Sequence, residues 1–273
     1  MIAFYVQGGG LGHLTRTEKL IKTLHLEATN VVIISPSDFT RYFKQYQFVH
    51  LEWKDTPERW TEIVHNTLLE HSITQCYIDT FPFGLKGELI SVYKSFPQIS
   101  FYYVSRILKW EKYLSAMPRH FDPEFEATLL LETLYPEHLR WIEKHPNRIR
   151  KLRLDADTPL TDLKLSESPY VLVVHSGGVA DVQKVLAAAL SDLSEENTKQ
   201  IIVCTQVAIE IDSPFIEVRN DIFPVAPYFR QAEKIYTAGG FNLMQELKPF
   251  RSKHIAIPLE RLYDDQKFRI LNQ

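Results

Sequence analysis

Ala-Gly-Gly-Phe-Asn-Leu-Met-Gln-Glu, residues 238–246, is the most informative stretch of this chain. It follows a short apolar run at 234–236 and precedes Pro258 and an acidic loop at 264–266, which predicts strand, glycine turn, helix, strand and loop. Glycines let the backbone approach a ligand closely, and a helix that begins there directs unpaired N–H groups toward it. Glu246 lies about one helical turn further on, where its carboxylate can accept hydrogen bonds from a ribose diol. The stretch therefore predicts a binding site for a diphosphate, a ribose and a polyhydroxylated group.

This stretch resembles the donor-site signature of the GT-B nucleotide-sugar glycosyltransferases. In the UDP-glycosyltransferases that signature is His-Cys-Gly-Trp-Asn-Ser-x-x-Glu, then Pro, then an acid followed by Gln. The residues that match it are Gly240, Phe241, Asn242, Glu246, Pro258, Asp265 and Gln266. The spacing after Pro258 is more similar to the bacterial family 28 enzymes that add N-acetylglucosamine to the peptidoglycan lipid intermediate. Ala238 stands where the plant-type signature has a phosphate-contacting His, and an ordinary strand–turn–helix with a glycine cap is the alternative interpretation.

Composition and charge indicate a soluble globular protein. The 273 residues suffice for two domains of ordinary size, and 45% of them are hydrophobic and 24% charged. A net charge of −3 gives no reason to expect nucleic acid as a partner. Cys76 and Cys204 lie in apolar runs without metal-ligand spacing, which indicates buried thiols in a reducing compartment. Without an apolar run of membrane-spanning length or a charged leader, we expect a cytoplasmic protein, with a peripheral membrane contact left open.

A second glycine-rich loop lies at the start of the chain. The apolar run 2–6 predicts a buried parallel strand, which leads into Gln-Gly-Gly-Gly-Leu-Gly-His at 7–13 and then into an apolar helical repeat. A dinucleotide fingerprint needs its third glycine where His13 stands, which disfavours a nicotinamide oxidoreductase. The loop resembles the amino-terminal Gly-His loop of the GT-B families. The resemblance implies that Gly10 and Gly12 belong to the donor site and that His13 faces a cleft between two domains.

His13 and Asp79 are the candidate catalytic pair. Inverting sugar transfer needs a base for the acceptor hydroxyl, and neutral imidazole is suited to this near pH 7, while capping or packing is the alternative role of His13. Asp79 ends a predicted strand on the same sheet edge, where it orients His13, binds the acceptor or serves as a turn residue. Arg16 either pairs with an anionic substrate group or lies on a solvated helix face. The aromatic run 81–83 predicts a stiff apolar lip suited to an acceptor.

The middle of the chain separates two predicted domains. Strand and helix patterns alternate through residue 104, which predicts a doubly wound parallel sheet. Residues 105–153 are rich in aromatic and basic side chains and predict two or three helices. These helices form either a membrane-surface or lipid-acceptor patch or an amphipathic pair packed on the sheet. The polar segment 155–169 is the predicted linker, and we expect domains at 1–158 and 166–273.

The second half repeats the organisation of the first. The run 170–174 predicts a strand that ends in His-Ser-Gly-Gly at 175–178, ahead of an apolar helix. The resemblance places this loop against the donor diphosphate, where the Ser176 hydroxyl and the glycine amides can bind an anion. His175 is either a phosphate partner or a strand-end residue. The segment 225–229 is similar to the loop that packs around the nucleotide base.

The resemblance implies an α/β, GT-B fold with two Rossmann-like doubly wound domains facing each other across a cleft. The implied activity is inverting transfer of a sugar from a nucleoside diphosphate sugar, with UDP the expected nucleotide, to a hydroxyl acceptor, either lipid-linked or glycan. The implied donor-binding residues are Gly10, Gly12, His175, Ser176, Gly177, Gly178, Gly239, Gly240, Phe241, Asn242, Glu246, Asp265 and Gln266. No Asp-x-Asp motif follows a predicted strand, so we expect neither a metal nor another cofactor. A UDP-sugar 2-epimerase of the same fold and a non-catalytic nucleotide-sugar-binding protein are the alternatives.

Overall fold

The computed structural model describes residues 1–117, 122–145, 148–154, 163–193, 200–220 and 222–272. Two compact units make up the chain. The first comprises Met1–Asp155 and Leu262–Asp265, and the second comprises Ala156–Arg261 and Gln266–Gln273. Residues 155–162 of the predicted linker, and with them the predicted domain end at 158, lie outside the described residues.

The first unit is built on a sheet of seven parallel strands with the order β3-β2-β1-β4-β5-β6-β7. The strands are β1 (Ile2–Val6), β2 (Val31–Ser35), β3 (Gln47–His50), β4 (Gln75–Asp79), β5 (Ser100–Ser105), β6 (Ala127–Leu130) and β7 (Arg148–Lys151). The helices are α1 (Leu11–Thr23), α2 (Pro57–Glu70), α3 (Leu89–Ser95), α4 (Trp110–Ser115) and α5 (Pro136–Glu143). Strands β1 and β2 are largely apolar and fully buried, as parallel strands covered on both faces must be.

The segment 105–153 differs from the prediction of helices alone. It forms α4 and α5 but also the strands β6 and β7, each only four residues long. Trp110 and Tyr113 are buried in the first unit, so they pack in its core and are not available to a membrane surface. No helix in the described part of the chain is long and apolar enough to cross a membrane.

The second unit is built on five parallel strands with the order β10-β9-β8-β11-β12. The strands are β8 (Tyr170–Val174), β9 (Gln200–Cys204), β10 (Ile216–Arg219), β11 (Lys234–Ala238) and β12 (His254–Ile257). The helices are α6 (Val179–Asp192), α7 (Phe241–Glu246) and α8 (Gln266–Leu271). Along α6, Val182, Val185, Leu186 and Ala189 recur at helical spacing and are buried in a core with β8 and β9. The two parallel sheets with their helices confirm the predicted α/β class and the two Rossmann-like units.

Each sheet has one place where the strand order reverses. In the first unit it lies at β1 and β4, which pair side by side, and in the second it lies at β8 and β11. Open α/β sheets bind ligands outside the carboxyl ends of the strands at this switch point. The glycine loop 7–13 and Asp79 lie at the first switch point, and the loops 175–178 and 239–240 lie at the second.

Candidate functional site

His13 and Asp79 come together at the switch point of the first unit. Asp79 is the last residue of β4 and lies in register with Val6, the last residue of β1. The loop 7–13 leaves from Val6 and places His13 in the first turn of α1. His13 Nδ1 lies 2.8 Å from Asp79 Oδ2. The structure therefore puts the two predicted catalytic residues in hydrogen-bond contact.

Arg16 binds the same carboxylate from the next turn of α1. Its Nε donates to Asp79 Oδ1 at 2.9 Å and its Nη2 donates to Asp79 Oδ2 at 2.5 Å. Only 3% of the Arg16 side chain is exposed, so the expectation of a solvated helix face is wrong. Residues three apart on a helix share a face, which is why His13 and Arg16 reach the same strand end.

The contacts of His13 assign its tautomer. A carboxylate oxygen can only accept, so Nδ1 of His13 carries the proton and donates it to Asp79. Arg16 Nη2 also lies 3.0 Å from Nδ1, but two donors cannot bond to each other, so this is a close approach without a hydrogen bond. Nε2 of His13 keeps its lone pair, as a general base requires.

Charge and burial keep His13 neutral at physiological pH. Burial of the imidazole and the positive charge of Arg16 lower the pKa of His13 to about 4, although the hydrogen bond to Asp79 opposes them. Burial alone would raise the pKa of Asp79, but the Arg16 guanidinium and the His13 hydrogen bond outweigh it and hold that pKa below its usual range. At neutral pH the site therefore holds an ionised Asp79, a charged Arg16 and an uncharged imidazole.

Thr80 forms hydrogen bonds with both Arg16 and Arg106. Thr80 Oγ1 accepts hydrogen bonds from Arg16 Nη2 at 3.1 Å and from Arg106 Nε at 3.0 Å. Arg106 Nη1 in turn donates to Asp264 Oδ1 at 2.6 Å. Thr80 has a φ of 68°, a left-handed conformation that is uncommon for a β-branched residue and is found mainly at functional sites. Thr80 thus links two arginine–carboxylate pairs, and the hydrogen bonds on both sides of it fix the orientation of Arg16.

The glycine loop packs directly on the imidazole of His13. Gly8 has a φ of 142°, and a Cβ placed on it would overlap the Cδ2 and Nε2 atoms of His13. Gly10 precedes α1 in an extended conformation and is exposed, and a Cβ placed on it would have no neighbouring atom within 4 Å. Gly8 is therefore required for the position of His13, whereas Gly10 leaves open space at the start of the helix.

Gly8→Ala is expected to displace His13 and to destabilise the first unit. The substitution adds strain of order 1–3 kcal/mol at a positive φ, in addition to the overlap with the ring. The free energy of unfolding from urea denaturation should fall by at least about 1 kcal/mol more than in Gly10→Ala, where no such overlap arises. The NMR titration of His13 should also move from its wild-type position. Equal unfolding free energies for the two variants would contradict the packing of Gly8 on His13.

The prediction that residues 81–83 form an exposed apolar lip is wrong. Phe81 and Phe83 are 6% and 2% exposed, and both pack against Tyr113 in the core of the first unit. The Tyr113 hydroxyl accepts from the Phe83 backbone N–H at 2.9 Å and donates to the Gly84 carbonyl at 2.7 Å. The aromatic run therefore anchors the loop after β4 and does not present a surface to an acceptor.

The second unit brings its two predicted glycine loops to one sheet edge. Val174 of β8 lies in register with Thr237 of β11, so the loop 175–178 and the turn 239–240 leave neighbouring strand ends. Gly178 is the exposed N-cap of α6 and provides no side chain to cap it. The first-turn N–H groups of this 14-residue helix, together with its dipole, form an anion-binding end.

His175 lies beneath the glycine loop of the second unit. A Cβ on Gly177 would overlap His175 Nε2, and the imidazole is buried. Burial and the nearby Arg261 lower the pKa of His175 to about 4, against the attraction of Asp181, so the ring is neutral at pH 7. Arg261 Nη2 lies 2.7 Å from Asp181 Oδ2, and His175 Nε2 lies 3.8 Å from the same oxygen. Arg261 therefore neutralises the one carboxylate in the first turn of α6.

Asp265 and Gln266, which were predicted to bind the donor sugar together, belong to different units. Asp265 belongs to the first unit, where the Tyr135 hydroxyl donates to its Oδ2 at 2.7 Å. Gln266 belongs to the second unit, is buried, and accepts from the Leu259 N–H at 3.0 Å. Gly239 is buried as well, since a Cβ there would lie 2.8 Å from Ile270 Cδ1. These contacts give Gln266 and Gly239 roles in holding α8.

The remaining predicted donor residues lie on α7 or close to α1. Asn242 and Glu246 are half-buried and lie at the two ends of α7, while Phe241 is buried. Gly240 is the extended N-cap of α7, with open space beside it, and Gly12 is half-buried in the first turn of α1. In the segment 225–229, Phe229 is core and Tyr228 is half-buried.

Sequence reasoning missed four contributors to these sites. Thr80 follows a strand end directly, and only its backbone conformation marks it. Arg106 was one basic residue among many, and Asp181 and Arg261 are far apart in sequence. No local motif identifies Arg106, Asp181 or Arg261, because their partners are set by the fold. Among the described residues, no group of three or more His, Cys, Asp or Glu side chains is placed to hold a metal ion.

No protein-family model and no curated protein matches the sequence. Solved structures do match. A UDP-glucosyltransferase from Polygonum tinctorium has a TM-score of 0.58 at 14% identity, over 98% of this chain and 81% of that one. The glycosyltransferase SnogD from Streptomyces nogalater has a TM-score of 0.54 at 12% identity, over 94% of this chain and 82% of that one. The UDP-GlcNAc 2-epimerase from Methanocaldococcus jannaschii has a TM-score of 0.53 at 12% identity, over 100% of this chain and 91% of that one.

This similarity confirms the predicted GT-B fold and the resemblance to GT-B nucleotide-sugar glycosyltransferases. At 12–14% identity it extends to the fold, and the same fold carries more than one reaction. The fold alone therefore does not determine the reaction, which depends on the residues at the two switch points.

Proposed function

We propose that this chain transfers a sugar from a nucleoside diphosphate sugar, with UDP the first candidate, to a hydroxyl acceptor with inversion at the anomeric carbon. The observation that carries the proposal is His13, a neutral imidazole that donates Nδ1–H to Asp79 at 2.8 Å and keeps Nε2 as an acceptor. The glycosyltransferases among the similar structures, one of them a UDP-glucosyltransferase, support the same class of reaction.

The first unit would supply the base. Nε2 of His13 takes the proton of the acceptor hydroxyl while the hydroxyl oxygen forms its bond to the anomeric carbon. The bond from that carbon to the diphosphate oxygen breaks on the opposite face, which inverts the configuration. Asp79 holds the ring in the required tautomer and stabilises the imidazolium as it forms. The positive charge of Arg16 destabilises the imidazolium, which favours transfer of the proton from His13 to water after the sugar has been transferred.

The second unit would supply the donor site. The leaving diphosphate gains negative charge as the glycosidic bond breaks, and the N–H groups at the start of α6 would stabilise that charge. Ser176 and the Gly177 and Gly178 amides lie at that helix start, and Gly240 and the Asn242 amide lie at the start of α7, which follows the neighbouring strand β11. Glu246 would accept hydrogen bonds from the ribose hydroxyls. The proposal includes no metal, because the N–H groups and the dipole at the start of α6 provide the positive field and Arg261 neutralises the carboxylate there.

A nucleotide panel should identify the donor by thermal shift. A ligand at 100 times its Kd that binds only the folded state stabilises by about 2.7 kcal/mol. UDP should therefore raise the melting temperature by several degrees, and Glu246→Ala should remove most of that shift. Glu210→Ala changes an exposed carboxylate of the same unit and should leave the shift intact. Stabilisation by NAD alone, with none from UDP, GDP or dTDP, would overturn the proposed donor site.

A UDP-sugar 2-epimerase is the second candidate, because a 2-epimerase shares the fold over the whole of this chain. Product analysis after incubation with UDP-N-acetylglucosamine separates the two reactions. Transfer gives free UDP and a glycosylated acceptor, whereas epimerisation gives a sugar inverted at C2 without any acceptor. Heat on titration with UDP-sugars and no turnover with any acceptor would identify a nucleotide-sugar-binding protein. Ala238 is consistent with that outcome, because it stands where the plant-type signature has a phosphate-contacting His.

A further inference from the structure

Trp53 is a large aromatic residue that stays partly exposed, so it contributes less buried surface to the fold than a core tryptophan does. It lies in the loop from β3 to α2, and 47% of it is exposed. Trp60 and Trp110, by contrast, are buried, at 0% and 3% exposure. A large aromatic residue that is buried removes about 150–250 Å² of surface from water, and Trp53 forgoes roughly half of this.

The loop that presents Trp53 is held on both sides. The Trp60 indole N–H donates to the Glu52 carbonyl at 2.8 Å, which ties the residue before Trp53. Lys86 Nζ donates to the Trp53 carbonyl at 3.2 Å and to the Asp55 carbonyl at 2.6 Å. The Trp53 and Trp60 rings lie 5.8 Å apart. The backbone is thus fixed while about half of the side chain stays exposed, which is the arrangement of a preorganised binding surface.

Trp53 also lies beside the catalytic glycine loop. A Cβ placed on Gly9 would lie 3.5 Å from Cζ2 of the Trp53 indole, which is its nearest neighbour. Gly8, the adjacent residue, packs on the His13 ring. Successive Cα atoms are about 3.8 Å apart, so the indole and the imidazole flank neighbouring residues of one loop. A molecule that covers the indole therefore lies within reach of the His13 site.

We propose that Trp53 is the platform on which a sugar ring of the acceptor stacks, which makes the acceptor a carbohydrate. This inference rests on the proposed function, because it takes the acceptor hydroxyl to be the one that His13 deprotonates. The chain just before Trp53 is polar: the side chains of Glu52 and His50 are 57% and 43% exposed and lie 3.7 Å apart. An exposed indole in a polar loop matches a pyranose, which has a C–H face for the ring and hydroxyls for the polar groups nearby. A planar aromatic acceptor would need a second apolar wall, and Phe81 and Phe83 are buried and do not provide one.

Direct binding tests the platform without any turnover. Methyl β-glucopyranoside and methyl N-acetyl-β-glucosaminide are titrated into the protein while acrylamide quenching of tryptophan fluorescence is followed. Protection of the exposed indole is expected in the wild type, and isothermal titration should give an affinity about tenfold lower in Trp53→Ala. Trp53→Phe keeps an aromatic face and should stay within about threefold of the wild type. Leu69→Ala, at a side chain that is 56% exposed in the same unit, should leave the affinity unchanged.

Kinetics separate this inference from the proposed function. With a UDP-sugar and a glycoside acceptor, Trp53→Ala should raise the acceptor KM about tenfold while kcat and the donor KM stay within about twofold. Turnover with an unchanged acceptor KM in Trp53→Ala would overturn the platform and leave the transferase standing. Glycoside protection of Trp53 without any sugar transfer would overturn the transferase and leave the platform. Protection by 2-naphthol and by no glycoside would overturn the carbohydrate assignment.

Discussion

His13→Ala is expected to lower kcat for sugar transfer by about 10²–10⁴-fold, the usual contribution of a positioned general base. The Kd for UDP should stay within about twofold, because the groups proposed to bind the diphosphate and the ribose lie at α6 and α7 of the second unit and do not include His13. The melting temperature should change little, since the substitution removes the side-chain hydrogen bond to Asp79 while Arg16 continues to compensate that carboxylate. A steady-state assay of UDP release, with the variant and the wild type side by side, measures the effect.

The pH profile gives an independent check on the role of His13. Burial and Arg16 lower its pKa to about 4, so the base is already neutral at pH 6 and above. The wild-type rate should therefore be flat with respect to this group from pH 6 to pH 8 and should fall as the pH drops toward about 4. His25→Asn, at an exposed imidazole of the same unit with a φ of 54° that Asn tolerates, controls for loss of any histidine. An acid limb centred near the ordinary value of about 6.5, or a His13→Ala rate equal to the wild type, would remove His13 from the mechanism.

The local patterns predicted the parts of the fold that lie close together in sequence. Each glycine loop follows an apolar strand and begins a helix, so the residues after β1 and β8 could be assigned to the sheet edge before the strand order was known. Asp79 could be assigned to the same edge because parallel strands end on the same side. The contact between His13 and Asp79 follows from that placement and from the adjacency of β1 and β4.

The features that the sequence did not predict depend on contacts between residues that are far apart in the chain. Strand β7 is four residues of Arg, Ile, Arg and Lys at a sheet edge, all exposed, so it lacks the alternation of a half-buried strand. A charged residue on a helix is ordinarily solvated, and only the position of β4 makes Arg16 a buried partner of Asp79. The run 81–83 predicted an exposed lip, but its burial is decided by Tyr113 and its hydrogen bonds, which are set by the fold. Asp265 and Gln266 are adjacent in sequence and belong to different units.

Arg16→Met is expected to cost about 3–5 kcal/mol in the free energy of unfolding, because it leaves the buried Asp79 carboxylate without its guanidinium partner. The same change should raise the pKa of His13, since Arg16 is a cause of its lowering and Asp79 favours the protonated ring. In the wild type, His13 is unprotonated when folded and takes up a proton on unfolding between about pH 4 and the unfolded value of about 6.5. Wild-type stability should therefore fall as the pH drops through that window. In Arg16→Met the folded state also binds the proton, so this fall should shrink or reverse.

Urea denaturation at a series of pH values measures both effects in one experiment. Arg59→Met removes an arginine from an exposed i,i+3 pair with Glu62 and should leave the unfolding midpoint unchanged. Arg16→Met with Asp79→Asn removes both charges and should recover part of the loss, because no unpaired carboxylate remains. If Arg16→Met is too unstable to study, Arg16→Lys keeps the charge but not the two-point contact with Asp79, and an intermediate loss is expected. A loss no greater than that of Arg59→Met, together with a wild-type pH dependence, would show that Arg16 neither stabilises Asp79 nor holds the His13 imidazole in its neutral form.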